Sequence, residues 1–302
     1  MWIIKRDGSR QAYDPEKISR AIARSFDSAG TPIDPAALAG LVTLVEEKIR
    51  RMHEVQTQVG VEDIQDLVEQ TLMEQNLYPQ MKGYILYREN RARMRRSRME
   101  LAGEFPGIAG LLPVLDRIQR DFQDEAYDLE LLARKYRSMS KPELSEQERL
   151  ELLIRAAVER TTQEAPQWER IAARLLMLKF DLELARTMAS RGIGDFYDKL
   201  VYLTQEGLYG DYILAHYSPE EIRRYAAWIR PERNALLNYS GLSLLLDRYI
   251  IRTGKGVAME SPQEMFLGIA MHLAMKETHH RDQWVQRFYD MLSQLQVTMA
   301  TP

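Results

Sequence analysis

Three basic side chains near the start of the chain, Lys5, Arg6 and Lys17, could together bind a phosphate-rich ligand. Lysine and arginine form charge-assisted hydrogen bonds to phosphate oxygens, which are stronger than hydrogen bonds between neutral groups. The same spacing also suits an ordinary surface hairpin whose basic side chains are solvated. The two interpretations differ in whether the local fold brings the three cations onto one small platform.

A β-hairpin and a helix are predicted to position these cations. Two short strands, residues 2–5 and 10–13, flank an Asp-Gly dipeptide that favours the positive φ angles of a tight turn. Asp14 then caps a helix that has proline in its first position, an arrangement typical of helix starts. Lys17 would lie in the first turn of that helix.

The composition describes a globular protein that is long enough for two modest domains. Of its 302 residues, 45% are hydrophobic and 28% are charged, as is usual for folded soluble proteins. A net charge of −3 gives no reason to expect nucleic acid or a membrane as partner. No apolar run approaches the roughly 20 residues that cross a bilayer, and the first residues are too few for a signal peptide, so we expect a cytoplasmic protein.

The chain contains no cysteine, which excludes disulfides, thiolate metal sites and a cysteine nucleophile within it. It also has no G-x-x-x-x-G-K-[ST] phosphate-binding loop. Glu277-Thr-His-His280 supplies a single E-x-x-H motif, whereas a di-iron site in a helix bundle needs two. We therefore predict no catalytic residue and no metal site in this chain.

Residues 1–95 are predicted to form a small α+β domain from the hairpin and four helices. Apolar residues recur at helical spacing in all four segments. The last three helices start near Asp34, Val61 and Tyr78. The sequence of elements thus predicts a mainly α protein that opens with a small sheet.

Six arginines lie between Arg88 and Arg98. Such density could mark a nucleic-acid-binding stripe, but no aromatic residues are interleaved and the arginines spread around several helix faces. We favour a solvated helix end that leads into a helical linker over residues 96–140.

An all-helical domain is predicted for residues 141–302. Three of its helices begin with a capping box, in which serine is followed three residues later by glutamate. These pairs are Ser145 and Glu148, Ser218 and Glu221, and Ser261 and Glu264. The last residues, 295–302, become β-branched and extended, which predicts a first strand whose sheet partners are not in this sequence.

Two parts of the chain resemble class I ribonucleotide reductases. The opening hairpin and Tyr84-Ile-Leu-Tyr-Arg88 resemble the ATP-cone, a regulatory nucleotide-binding domain at the N-terminus of many of these enzymes. Residues 145–302 resemble the all-helical N-terminal domain of the large subunit. The motifs that carry this second resemblance are Trp168-Glu-Arg-Ile-Ala-Ala-Arg174, Asn238-Tyr-Ser-Gly-Leu242, Glu260-Ser-Pro-Gln-Glu264 and Thr298-Met-Ala-Thr-Pro302.

The resemblance implies an overall activity switch, with ATP as activating and dATP as inhibiting effector, in an enzyme that reduces ribonucleoside diphosphates by radical chemistry. It implies phosphate contacts for Lys5, Arg6 and Lys17, and we add Arg88, the first of the six arginines. It implies base and ribose contacts for Ile3, Val61 and Gln65. Gln11 matches a position that is acidic in some relatives, and its amide can also form hydrogen bonds.

The catalytic barrel of that family is expected to be absent from this chain. Thr301 matches a threonine that helps to hold the substrate phosphate at the barrel mouth. The implied partners are the barrel segment, a radical-bearing small subunit and further copies of the large subunit. The alternative is a free-standing ATP/dATP sensor without catalysis. A third candidate, a repressor that contains an ATP-cone, carries a four-cysteine zinc ribbon that this chain cannot form.

Overall fold

The computed structural model describes residues 1–6, 8–56 and 58–297. It divides the chain into two compact units, Met1–Arg96 and Ser97–Pro302. The predicted terminal strand at 295–302 falls largely outside the described residues, and Thr301 lies wholly outside them. No helix in the described part of the chain is long and apolar enough to cross a membrane.

The first unit contains a three-stranded sheet in the order β2-β1-β3. β1 (Trp2–Ile4) pairs antiparallel with β2 (Arg10–Ala12), which confirms the predicted hairpin, and Gly8 in its turn has a φ of 79°. β3 (Val59–Gly60) pairs parallel with β1 on its other side. The sequence did not predict β3, because two residues are too few to show the alternation of a strand.

Four helices accompany this sheet, as predicted. They are α1 (Pro15–Ser28), α2 (Pro35–Val55), α3 (Val61–Glu74) and α4 (Tyr78–Gly103). Asp14 and Asp34 cap the first two helices by accepting hydrogen bonds from backbone amides at 2.8–3.1 Å. The apolar faces bury a common core that includes Ile3, Ile18, Ile22, Phe26, Val45, Ile49, Val59, Val68 and Leu72.

The second unit is entirely helical in its described residues, apart from an isolated β-bridge between Arg252 and Ala258. Its helices are α5 (Leu111–Asp121), α6 (Leu129–Met139), α7 (Glu146–Val158), α8 (Trp168–Arg191), α9 (Phe196–Gln205), α10 (Tyr212–His216), α11 (Pro219–Ala226), α12 (Tyr239–Arg248), α13 (Pro262–Ala274) and α14 (Arg281–Ser293). Short 3-10 helices lie at Glu125–Tyr127 and Pro231–Leu236.

Two hydrophobic clusters fill this unit. One surrounds the fully buried Trp168, whose indole nitrogen donates to the carbonyl oxygen of Ala126 at 2.9 Å. Residues 96–140, predicted as a helical linker, are largely helical and contribute Leu101, Phe105, Leu115 and Tyr136 to this cluster. The other cluster joins the second half of α8 to α9–α14.

The three predicted capping boxes are confirmed. The hydroxyls of Ser145, Ser218 and Ser261 each accept the backbone amide of the glutamate three residues later at 3.2–3.3 Å. Each glutamate carboxylate accepts the serine amide in return at 2.7–2.8 Å. These reciprocal bonds fix the starts of α7, α11 and α13.

Candidate nucleotide site

The carboxyl ends of β1 and β3 lie side by side because these two strands are parallel. Lys5 and Arg6 follow β1, while Val61 begins α3 directly after β3. The carboxylate of Asp63 accepts the amide of Gly60 at 2.8 Å and so fixes the start of this helix. The free amides of a first helical turn attract anions. This end of the sheet therefore combines two cations with a helix N-terminus.

Arg6 reaches from the hairpin to α3. Its Nε donates to Glu62, and its Nη2 donates to Oε1 of Gln65 at 3.1 Å. Glu62 also accepts a hydrogen bond from Nη2 of Arg88 at 2.7 Å. The structure thus brings together three predicted site residues, Arg6, Gln65 and Arg88, and it joins the two arginines through Glu62.

Arg88 is held by an acidic row on α3 that we call the α3 acidic face, namely Glu62, Asp66 and Glu69. Its Nη1 lies 2.6 Å from Oδ1 of Asp66 and 2.8 Å from Oε1 of Glu69. Sequence reasoning missed these carboxylates. Their spacing of four and then three residues, which places them on one side of a helix, is the signal that could have identified them.

These contacts favour the charged forms of both the Glu62 carboxylate and the Arg88 guanidinium. The hydrogen bond from Arg6 is the largest effect on Glu62, and with the contribution of Arg88 it lowers the pKa of that carboxyl against the opposing effect of burial. Burial alone would lower the pKa of Arg88, but hydrogen bonds to Glu69, Asp66 and Glu62 outweigh burial and raise it. The ion pairs are therefore formed at neutral pH.

Lys5 and Lys17 differ from the two arginines. Both are exposed, and neither forms an ion pair with the residues that the structure describes. Lys17 lies in the first turn of α1, which starts near the sheet end where Ala12 pairs with Trp2. Lys5 and Arg6 instead follow the opposite end of β1, a strand of three residues.

The remaining predicted residues belong to the sheet and to the start of α3. Ile3 is buried in the core of the first unit and lies opposite Gln11 on one neighbouring strand and Val59 on the other. Gln11 is half-buried. Val61, also half-buried, packs against the same core. Ile3 thus lies in the central strand two residues before Lys5, with Gln11 beside it on β2 and Val61 directly after β3.

Other arginines of α4 are used for internal contacts. The Arg91 guanidinium lies 5.9 Å from the centre of the Tyr87 ring, and Arg24 donates to the Tyr87 hydroxyl at 3.0 Å. Arg98, which already belongs to the second unit, lies 2.5 Å from a carboxylate oxygen of Asp116 in that same unit. These contacts differ from the solvated helix end that we favoured from the sequence. No group of three or more metal-binding side chains occurs among the residues described.

Comparison with known families defines the class of this protein. Residues 1–93 match the ATP cone domain, and residues 235–302 match the all-alpha domain of ribonucleotide reductase. The chain is therefore an ATP-cone domain followed by a reductase helical domain.

Individual relatives define the family further. The chain is 48% identical, over its whole length, to the ribonucleoside-diphosphate reductase subunit alpha of Treponema pallidum (strain Nichols), of which it covers 36%. It is 28% identical over 99% of its length to the subunit alpha of Chlamydia muridarum, covering 31% of that protein. Half of the chain is 27% identical to ribonucleoside-diphosphate reductase 1 subunit alpha of Escherichia coli (strain K12), covering 20% of it.

The chain belongs to the ribonucleoside-diphosphate reductase alpha-subunit family and corresponds to its N-terminal region. It spans about a third of the length of the curated relatives that it matches end to end.

Proposed function

We propose that the first unit binds ATP or dATP at the carboxyl end of the β1–β3 pair and regulates the overall activity of a ribonucleoside-diphosphate reductase. One observation carries the proposal. Lys5, Arg6 and the N-terminus of α3 converge at this end of the sheet, and Arg88 reaches it through Glu62. A triphosphate carries several negative charges and suits such a group of donors.

Each predicted residue has a role in this proposal. Lys5, Arg6 and Arg88 would bind the phosphates at the carboxyl end of β1, and Lys17 would reach them from the first turn of α1 along the short hairpin. Ile3, Val61 and Gln65 would border the base and ribose, and Gln11 would offer an amide in place of a carboxylate.

The activity of the complete protein is also a proposal. Reduction of ribonucleoside diphosphates by radical chemistry needs cysteine thiols, and these 302 residues contain none. A catalytic barrel, a radical-bearing small subunit and further alpha subunits would be the partners. Thr301 would then contribute to the substrate phosphate site. The expected cytoplasmic location and the domain bounds 1–95, 96–140 and 141–302 stay predictions.

Calorimetric titration of the 302-residue chain with ATP and with dATP tests the proposal. We expect saturable binding, and we expect Lys5→Ala to weaken it about tenfold to hundredfold, because a charge-assisted hydrogen bond contributes roughly 1.5–3 kcal/mol. Lys82→Ala is the matched control. Lys82 is exposed near the start of α4, beyond the far end of α3, which is about 20 Å long. Absence of binding at millimolar nucleotide would refute the proposal.

A further inference from the structure

We infer that Glu62 is an internal competitor for the nucleotide: its carboxylate binds the arginines that would otherwise bind phosphate, and it thereby sets the affinity of the site. This inference rests on the proposed function and concerns the regulation of the same site. It is carried by the contacts of Glu62 itself.

The Glu62 carboxylate bridges two guanidinium groups. Its Oε1 accepts from Nε of Arg6, and its Oε2 accepts from Nη2 of Arg88 at 2.7 Å. A phosphate group would present anionic oxygens to the same two guanidinium groups, since arginine binds carboxylate and phosphate with one geometry. Phosphate and Glu62 therefore compete for the same donors.

The position of Glu62 in α3 adds a second element of competition. It is the second residue of the helix, where the helix dipole stabilises a negative charge. A phosphate beside the first-turn amides would occupy the same favourable field. Two like charges near one helix N-terminus repel each other, so nucleotide binding requires the Glu62 carboxylate to move away or to share its donors.

The competition affects Arg6 more than Arg88. When Glu62 moves, Arg88 keeps its contacts with Asp66 and Glu69. Arg6 keeps a hydrogen bond to the neutral amide of Gln65 at 3.1 Å but has no second carboxylate among the described contacts. Arg6 is thus the side chain that Glu62 releases to the nucleotide.

The exposure of these side chains decides how strong the competition is. The Glu62 side chain is 49% exposed and that of Arg6 is 37% exposed. Ion pairs at such exposed positions are weak, because water and salt screen them. Glu62 should therefore reduce the affinity for a triphosphate about twofold to fivefold without preventing binding.

The test measures dATP binding to the 302-residue chain by calorimetry, with Glu62→Gln as the principal variant. Glutamine keeps the size of the side chain and an oxygen for Arg6, but it removes the charge. We expect binding about twofold to fivefold tighter than wild type. Glu74→Gln is the matched control: it removes the same charge from the same helix, where Glu74 pairs with Lys48 at 2.6 Å, about 18 Å along α3 from Glu62. We expect this control to bind like wild type.

A second comparison uses Arg6→Ala. In this background, Glu62→Gln should have a smaller effect on dATP affinity, because the donor for which the two anions compete is gone. Thermal unfolding without nucleotide should show no stabilisation of Glu62→Gln, which separates tighter binding from a more stable fold.

The outcomes distinguish this inference from the proposed function. If wild type binds dATP and Glu62→Gln binds equally or more weakly, the competitor role of Glu62 is wrong and the nucleotide site stands. If Glu74→Gln tightens binding as much as Glu62→Gln, net charge is the cause and the inference fails. If neither wild type nor Glu62→Gln binds nucleotide, the proposed function fails and this inference fails with it.

Discussion

The ammonium of Lys199 lies 2.6 Å and 2.7 Å from the two carboxylate oxygens of Glu264 in the second unit. Lys199 is only 4% exposed. Glu264 also closes the capping box of Ser261 at the start of α13. One carboxylate therefore neutralises a buried cation on α9 and fixes the first turn of another helix.

Lys199→Met should strongly destabilise the second unit. Removal of one partner leaves the charge of Glu264 without its cation, a change that typically costs about 3–5 kcal/mol. Denaturant unfolding of the 302-residue chain measures the loss, and the double variant Lys199→Met/Glu264→Gln should recover part of it. Arg223→Met is the control, because Arg223 pairs with Asp195 at an exposed position and should matter little. Equal effects of the two single variants would contradict this account.

Glu260 should make stability depend on pH. It is 4% exposed, and burial, with a contribution from Glu264, raises its pKa from 4.5 to about 7, although the hydrogen bond from Ile251 opposes the shift. The folded protein then holds this proton more tightly than the unfolded chain. The contribution of Glu260 to the unfolding free energy consequently decreases as pH rises from about 4.5 to about 7.

Glu260→Gln provides the comparison. Its side-chain oxygen can still accept the amide of Ile251, which lies 2.8 Å from Glu260, but it does not ionise. We expect the variant to gain stability relative to wild type between pH 5 and pH 8, as measured by denaturant unfolding at both values. A difference between the two proteins that stays constant across this range would exclude the assignment.

Lys17→Ala should weaken dATP binding about tenfold to hundredfold, if this lysine donates to a phosphate as predicted. The fold should be unaffected, because an exposed lysine of a helix contributes little stability. Calorimetry measures the affinity, and circular dichroism checks the fold. Binding as tight as wild type would remove Lys17 from the phosphate site and leave Lys5, Arg6 and Arg88 as its proposed ligands.

The chain alone should not reduce ribonucleotides. No residue in it can carry a thiyl radical or supply two electrons from a thiol pair. The assay combines the purified chain with a ribonucleoside diphosphate, a dithiol and a cognate radical-bearing small subunit, and a complete alpha subunit serves as positive control. Appreciable deoxynucleotide formation by the chain would show that catalytic thiols are not required.

Features encoded by neighbouring residues could be predicted from the sequence. The hairpin turn depends on a few consecutive residues, and each capping box depends on a serine and a glutamate three positions apart. Apolar spacing also identified the buried face of α1, with Ile18, Ile22 and Phe26 in the core. In each case, the residues that cause the feature lie within about ten positions of one another in the sequence.

Features that depend on distant residues were not predicted. The contact between Arg6 and Glu62 joins residues 56 positions apart, and the pairing of β1 with β3 spans a similar separation. Residues 96–140 looked like a linker because their glycines and prolines suggested a boundary. Their burial became evident only through packing partners such as Trp168 on α8.

The central position of β1 has a practical consequence for protein production. Because β1 bonds to β2 on one side and to β3 on the other, proteolytic trimming of four residues from the N-terminus would remove the strand that holds β2 and β3 together in the described sheet. During synthesis, the ribosome must add residues beyond Gly60 before β3 can pair with β1 and complete the sheet.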